Sequence, residues 1–121
     1  MLIQVTDVLC NRYKNNWNVN NVKSMKGMFQ DCERFDGKGI KNWNVRNVEN
    51  MSSMFLNCEN LNSDFSSWNV NNVKYMDNMF NGCVNFEGKG LENWNVSNVK
   101  DMHYMFNGCT SLINTPTWYK K

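Results

Sequence analysis

The sequence has no apolar run approaching the roughly 20 residues that a membrane-spanning helix requires, and its formal net charge is only +2. A charge this small gives no argument for binding nucleic acid or an anionic membrane. The start, MLIQVTDVLC, has no basic flank and contains Asp7, so it is a poor signal peptide and export is not expected. We therefore expect an intracellular protein, in a host cell or a virion if the chain is viral, with its five cysteines reduced.

Patterns typical of metal or catalytic sites are also missing from the sequence. The cysteines do not form the short C-x2-C pairs of zinc sites. His103 is the only histidine, and no Ser or Cys can be argued to pair with it. FDGKGIKN and FEGKGLEN place a lysine between glycines, whereas a phosphate loop needs G-x-x-x-x-G-K-S/T leading into a helix. We expect no enzyme activity, no metal and no cofactor.

One segment, written four times, fills most of the chain. The copies are WNVNNVKSMKGMF, WNVRNVENMSSMF, WNVNNVKYMDNMF and WNVSNVKDMHYMF, starting at Trp17, Trp43, Trp68 and Trp94. A period of 25 or 26 residues is typical of stacked repeats, whose units share one continuous core because a single unit cannot bury enough apolar surface. We predict one domain, divided into an N-terminal cap, four repeats and a truncated fifth repeat that caps the C-terminal end. These segments are residues 1–16, 17–42, 43–67, 68–93, 94–117 and 118–121.

Two spacings of apolar residues alternate inside each unit. Trp68-x-Val70 has the period of a short strand. From Val73 onward the apolar positions Met76, Met79 and Cys83 follow at helical spacing, and the asparagine before each such run is placed to cap a helix. Each unit is predicted to be a strand, a turn, about two helical turns and a return loop.

The columns W-N-V-x-N-V-x-x-M-x-x-M-F-x-x-C-x-x-F/L, over residues 17 to 118, resemble the BspA-like branch of the leucine-rich repeats. That branch is abundant in mycoplasma lipoproteins and other bacterial surface proteins and also occurs in large DNA viruses. The resemblance implies an α/β repeat fold: a right-handed leucine-rich-repeat-like solenoid, with short parallel strands on one face and short helices on the other. It also implies binding to proteins or surfaces.

Alternation along the predicted strand leaves a polar, asparagine-lined face, with Arg46 as its only cation. Asparagines stacked in a column can instead serve the fold alone, by hydrogen bonding along the stack. Lys38 and Lys89, from two equivalent loops, are expected on one edge, where they could touch an acidic partner or simply be solvated. The candidate protein-binding residues are Asn18, Asn44, Arg46, Asn69, Asn71, Asn95, Lys38 and Lys89.

The cysteine, methionine and tryptophan columns are interpreted as core, and Trp118 as the most exposed tryptophan. Because the ends of a repeat stack expose apolar surface, Trp118 and Tyr119 are candidates for self-association, including a homodimer formed through the ends.

Three functional hypotheses follow. The first is a non-catalytic module that binds a protein partner through the asparagine-lined face and the lysine edge. The second is a self-associating structural component, for example of a virion. The third is a surface adhesin.

Overall fold

The computed structural model describes residues 17–119; the predicted cap of residues 1–16, which contains Cys10, lies outside them, as do Lys120 and Lys121. Within the described residues the backbone is a stack of coils built almost entirely from turns. Single-residue parallel bridges join each coil to the next. They connect Ser24 to Asn50, Asn50 to Tyr75, and Tyr75 to Asp101.

The predicted α/β leucine-rich-repeat-like solenoid is wrong. Residues 17–119 contain no helix, and their only strand residues are the isolated bridges. The segment predicted as a strand around Val70 is a turn, in which Val73 N–H donates to the Val70 carbonyl at 3.0 Å. The bridge residue of that coil, Tyr75, follows five positions after Val70.

The three-residue apolar spacing arises from consecutive β-turns. Met79 N–H donates to the Met76 carbonyl at 3.2 Å, and Cys83 N–H donates to the Phe80 carbonyl at 3.0 Å. A β-turn joins residues three apart by such a bond. Its two end residues can both point into the core, so the sequence pattern resembles one face of a helix.

Left-handed residues prevent these turns from merging into a helix. In the coil of residues 68–93, Asn78 and Gly82 have φ of 58° and 81°, whereas a right-handed helix needs negative φ at every position. Equivalent positions in the other coils also have positive φ, carried by Gly27, Asp31, Ser53, Asn57, Tyr104 and Gly108. Glycine and asparagine adopt this conformation at little cost.

The alternating conformation directs every second backbone N–H toward the following coil. Met76, Asn78, Phe80 and Gly82 donate to carbonyls of the next coil at 2.8 to 3.0 Å. We call these four groups the N–H row of the coil, and the four accepting groups, at residues 101, 103, 105 and 107, the carbonyl row of the next coil. The same pairing joins residues 25, 27, 29 and 31 to 50, 52, 54 and 56, and residues 51, 53, 55 and 57 to 75, 77, 79 and 81.

The core is a set of aromatic columns parallel to the stack. Phe55 lies between Phe29 and Phe80, with ring centroids 5.6 Å away on each side. Trp68 and Trp94 stack with centroids 6.5 Å apart. Repetition places identical side chains above one another, so that each ring is covered by the same ring of the neighbouring coils.

Candidate interaction surface

An amide ladder runs along one side of the stack. The Nδ2 groups of Asn47, Asn72 and Asn98 each donate to a backbone carbonyl of the preceding coil at 2.7 Å. This column was predicted to cap helices. Because there is no helix to cap, its side chains instead join successive coils and hold the surface in register.

The neighbouring asparagine column makes local bonds. The Oδ1 atoms of Asn18, Asn44, Asn69 and Asn95 accept from the backbone N–H two residues later, at 2.9 to 3.2 Å. These contacts are Asx turns, which bend the chain. The predicted bonding along the stack is thus made by the next column, while these four exposed side chains shape each turn.

A groove lies beside the amide ladder. It has a volume of about 400 Å³ and is lined by the ladder together with one charged column. We call it the amide–lysine groove; its residues are Lys23, Asn47, Glu49, Asn72, Lys74, Asn98 and Lys100.

The groove carries more positive than negative charge. Lys74 and Glu49 form an ion pair at 3.3 Å, half exposed on both sides. Within the described part of the chain, the ammonium groups of Lys23 and Lys100 have no carboxylate partner. Three lysines and one glutamate line the groove, and this excess of positive charge attracts anionic groups.

Arg46 and Asn71 directly precede the groove residues Asn47 and Asn72 in the sequence. Both side chains are exposed, and the backbone carbonyls of both residues accept ladder bonds, from Asn72 and Asn98 respectively. The ladder therefore fixes the backbone that carries these two candidate residues to the residues that line the groove.

Acidic residues interrupt the predicted lysine edge. Lys38 is exposed and lines a shallow depression of about 430 Å³ with Asp36, Lys41 and Asp64. Lys89 pairs with Glu87 at 3.3 Å. The edge is therefore a mixed surface and not a simple pair of cations.

Hydrogen bonds stabilise the ionised carboxylates on this edge. The backbone N–H and the side chain of Ser66 hold the pKa of Asp64 below its usual value, with the positive fields of Lys41 and Lys89 adding to the effect. The side chain of Asn62, and then Lys89, lower the pKa of Glu87. Both carboxylates therefore stay charged at neutral pH and offset the lysines.

Trp118 and Tyr119 lie partly buried against the last coil. Trp118 stacks on Trp94 with centroids 6.2 Å apart, and its Nε1 donates to the Leu91 carbonyl at 2.7 Å. Tyr119 meets Phe106 edge-on at 5.0 Å. The two candidate self-association residues thus continue the aromatic columns and leave part of their surface exposed.

The cysteine column lies in the core. The thiols of Cys58, Cys83 and Cys109 each donate to a carbonyl of the preceding coil at 3.0 Å. Burial raises the pKa of Cys58 to about 12 and that of Cys109 to about 11. Cys32 departs from the expectation of reduced cysteines, because it is disulfide-bonded.

Sequence reasoning missed the lysines of the groove. Lys23, Lys74 and Lys100 each directly follow the second valine of their unit. This recurrence is visible in the repeat alignment, but the position was assigned to a helix start and so was not placed on the polar face. Because this segment is a turn, the three lysines line the same groove as the asparagines of the amide ladder.

A family model matches most of the chain. The model for "Mycoplasma protein of unknown function, DUF285" matches residues 3–118. The chain belongs to this family. Neither a curated protein nor a solved structure matches the chain. Within residues 17–119, the structure holds no helix with the length and apolar character needed to cross a membrane.

Proposed function

We propose that the chain is a non-catalytic module that binds an acidic protein partner on the amide–lysine groove and the asparagine-lined face beside it. The observation that carries the proposal is that the ammonium groups of Lys23 and Lys100 have no carboxylate partner among residues 17–119. They lie on a surface held in register by ladder bonds of 2.7 Å.

The ladder supports this proposal because it reduces the entropy lost on binding. A partner that docks on a mobile surface must also order it, at a cost in affinity. Here the ladder already ties the backbone of Arg46 and Asn71 to the coils that follow them. The backbone beneath these exposed side chains therefore needs little further ordering.

The charge distribution supports an acidic partner. Opposite charges across an interface speed association and exclude wrong partners. Lys38 and Lys89 add a secondary contact at the loop edge, weaker than the groove because carboxylates surround them.

Capture from the native cell tests the proposal. The tagged protein is compared with the double variant Lys23→Glu/Lys100→Glu by quantitative mass spectrometry. We expect at least one acidic partner to be recovered with the original chain and to fall at least about tenfold with the variant, corresponding to about 1.4 kcal/mol. Its recovery should also fall as salt is raised.

The matched control is Lys26→Glu/Arg34→Glu, which makes the same change in charge at exposed residues outside the groove. Thermal unfolding verifies that both variants fold. The proposal fails if no partner is captured, or if the groove variant and the control retain partners equally.

A second candidate function is binding at the cell surface, which the resemblance of the repeats to BspA-like repeats implies. The disulfide at Cys32 favours it, because disulfides persist in oxidising environments. Labelling of intact cells with a membrane-impermeant reagent tests this candidate. Labelled protein supports it, and label found only after lysis rejects it.

A further inference from the structure

One pentapeptide occurs twice in the chain. Residues 79–83 and residues 105–109 both read MFNGC. They contain the two Asn-Gly pairs of the sequence, Asn81-Gly82 in an inner coil and Asn107-Gly108 in the last coil. Such pairs are chemically reactive, because glycine has no Cβ to obstruct attack of its backbone nitrogen on the side-chain amide of the asparagine.

The two copies have the same backbone conformation. Gly82 and Gly108 have φ of 81° and 78°. In each copy the asparagine N–H donates to the carbonyl three residues earlier, at 3.3 Å. Because sequence and local conformation are matched, a difference in reactivity between the two pairs has to come from the groups that surround them.

The Asn81–Gly82 peptide is held at both ends. Its carbonyl accepts from the N–H of Asn57 at 2.7 Å, and its N–H donates to the Asn107 carbonyl at 2.8 Å. The side-chain amide is held as well, since Asn81 Nδ2 donates to Asn78 Oδ1 at 3.0 Å. The attacking nitrogen and the amide that it would displace are therefore both engaged in hydrogen bonds.

The Asn107–Gly108 peptide is held only at its carbonyl, by the bond from Gly82. The N–H of Gly108 and the side-chain amide of Asn107 make no hydrogen bond within residues 17–119. Tyr104 stands where the inner coil has the asparagine that holds the amide. Both residues of this pair are exposed, whereas the inner pair is half-buried, so water reaches the reacting atoms in the last coil.

We propose that Asn107 is a site of spontaneous deamidation in the folded protein, and that Asn81 is protected from the same reaction. The Gly108 nitrogen loses its proton to hydroxide and attacks Cγ of Asn107. The new bond closes a succinimide ring, the bond from Cγ to Nδ2 breaks, and ammonia leaves. Water then opens the ring at either carbonyl, which leaves aspartate or isoaspartate at position 107. The net reaction consumes water and releases ammonia, so it needs no oxidant and no enzyme.

The modification alters the last coil in two ways. Either product replaces a neutral amide with a carboxylate, which adds a negative charge. Isoaspartate also routes the backbone through the former side chain and lengthens it by a methylene group. The added group lies between Phe106 and Cys109, which are joined by a turn bond of 3.1 Å, so the modified coil no longer matches the spacing of its neighbour.

Incubation of the folded chain in mildly alkaline buffer tests the proposal, because loss of the glycine N–H proton speeds ring closure. Samples taken over time are digested, and mass spectrometry measures the deamidated fraction at each asparagine, with electron-transfer fragmentation to recognise isoaspartate. Asn107 should react at least about tenfold faster than Asn81, because two further hydrogen bonds must open at Asn81.

Unfolding provides the matched control. In guanidinium, after reduction of the disulfide, the two identical pentapeptides should deamidate at about the same rate. Asn107→Gln should abolish the signal at position 107, because glutamine closes a less favourable ring. Equal rates at the two asparagines in the folded chain, faster reaction of Asn81, or an Asn107 that reacts only when unfolded overturns the proposal.

Discussion

Phe80 lies in an inner coil between Phe55 and Phe106 and is fully buried, whereas Phe106, its equivalent in the last coil, is 8% exposed. The two coils have the same residues in these columns, but only the inner one is covered on both sides by a repeat of its own kind. The burial of a core side chain in this protein therefore depends on its position in the stack as well as on its residue type.

The thiols show the same gradient. Burial raises the pKa of Cys83 far above its usual value, and further than that of Cys109, which rises to about 11. Cys83 is fully buried, whereas Cys109 is 7% exposed. The cysteine at the end of the stack is therefore less desolvated than the equivalent cysteine of the inner coil.

The largest expected effect comes from truncating the phenylalanine column. Phe80→Ala should lower the free energy of unfolding by about 4 to 5 kcal/mol, because the cavity would be enclosed on both sides. Phe106→Ala should cost about 3 kcal/mol, since its cavity can be filled by side chains or water from the open end. Urea unfolding of both variants measures the difference. A cost for Phe106→Ala equal to or above that for Phe80→Ala would contradict the comparison.

Substituting the equivalent glycines should also cost more stability in the inner coil than in the last coil, but the difference should be smaller than for the phenylalanines. Gly82 and Gly108 have φ of 81° and 78°. Alanine at either position would have to adopt the left-handed conformation, which costs about 1 kcal/mol or more. A Cβ at Gly82 would also clash with Oδ1 of Asn57 and lie 3.3 Å from the Cα of Asn57. At Gly108 the nearest atom would be 3.4 Å away. Gly82→Ala should therefore cost about 2 kcal/mol, and Gly108→Ala about 1 kcal/mol. Thermal unfolding of the two variants checks this order.

Removing one bond of the amide ladder should lower the free energy of unfolding by the same amount in the inner coil and in the last coil. Asn72 and Asn98 each donate one bond of 2.7 Å, so Asn72→Ala and Asn98→Ala should each cost about 1 kcal/mol. Asn93→Ala, at an exposed side chain that makes no hydrogen bond among the described residues, should cost almost nothing. Chemical denaturation of the three variants tests this, and a null effect for Asn72→Ala would show that the ladder does not stabilise the stack.

The smallest effect is a dependence on pH at the exposed loops. The pKa of Asp64 is lowered in the folded state by hydrogen bonds from Ser66, so its contribution to stability is present above the ordinary value of 3.8 and is lost as the pH falls through the lowered folded value. Asp64→Asn should reduce the slope of stability against pH below about 4. Unfolding measured from pH 6 to pH 2 tests this; an unchanged slope would contradict the assignment.

The repeat and its core could be predicted from the sequence, because both depend on which residues recur. Met76, Phe80 and Cys83 were assigned to the interior from their columns, and all three are buried. The secondary structure of the segments that join the recurring residues could not be predicted in the same way. An apolar spacing of three fits both a helix and consecutive β-turns, and the asparagines and glycines at left-handed positions were interpreted as helix caps and ends.

The interaction surface was predicted only in part for the same reason. Arg46 and Asn71 were correctly expected to be exposed. The lysine column was missed, because its position on this side of the stack depends on the turn that follows Val70 and Val96. Whether the candidate residues bind a partner stays a prediction.

Hydrogen exchange at single-residue resolution tests the central claim most directly. The claim is that the N–H row of each inner coil is covered by the carbonyls of the following coil, whereas the equivalent amides of the last coil have no acceptor among residues 17–119. In dilute solution the amides of Met76, Asn78, Phe80 and Gly82 should exchange slowly, and those of Met102, Tyr104, Phe106 and Gly108 should exchange quickly. Equal protection of the two rows at that dilution, or rapid exchange of the inner row, would contradict the account.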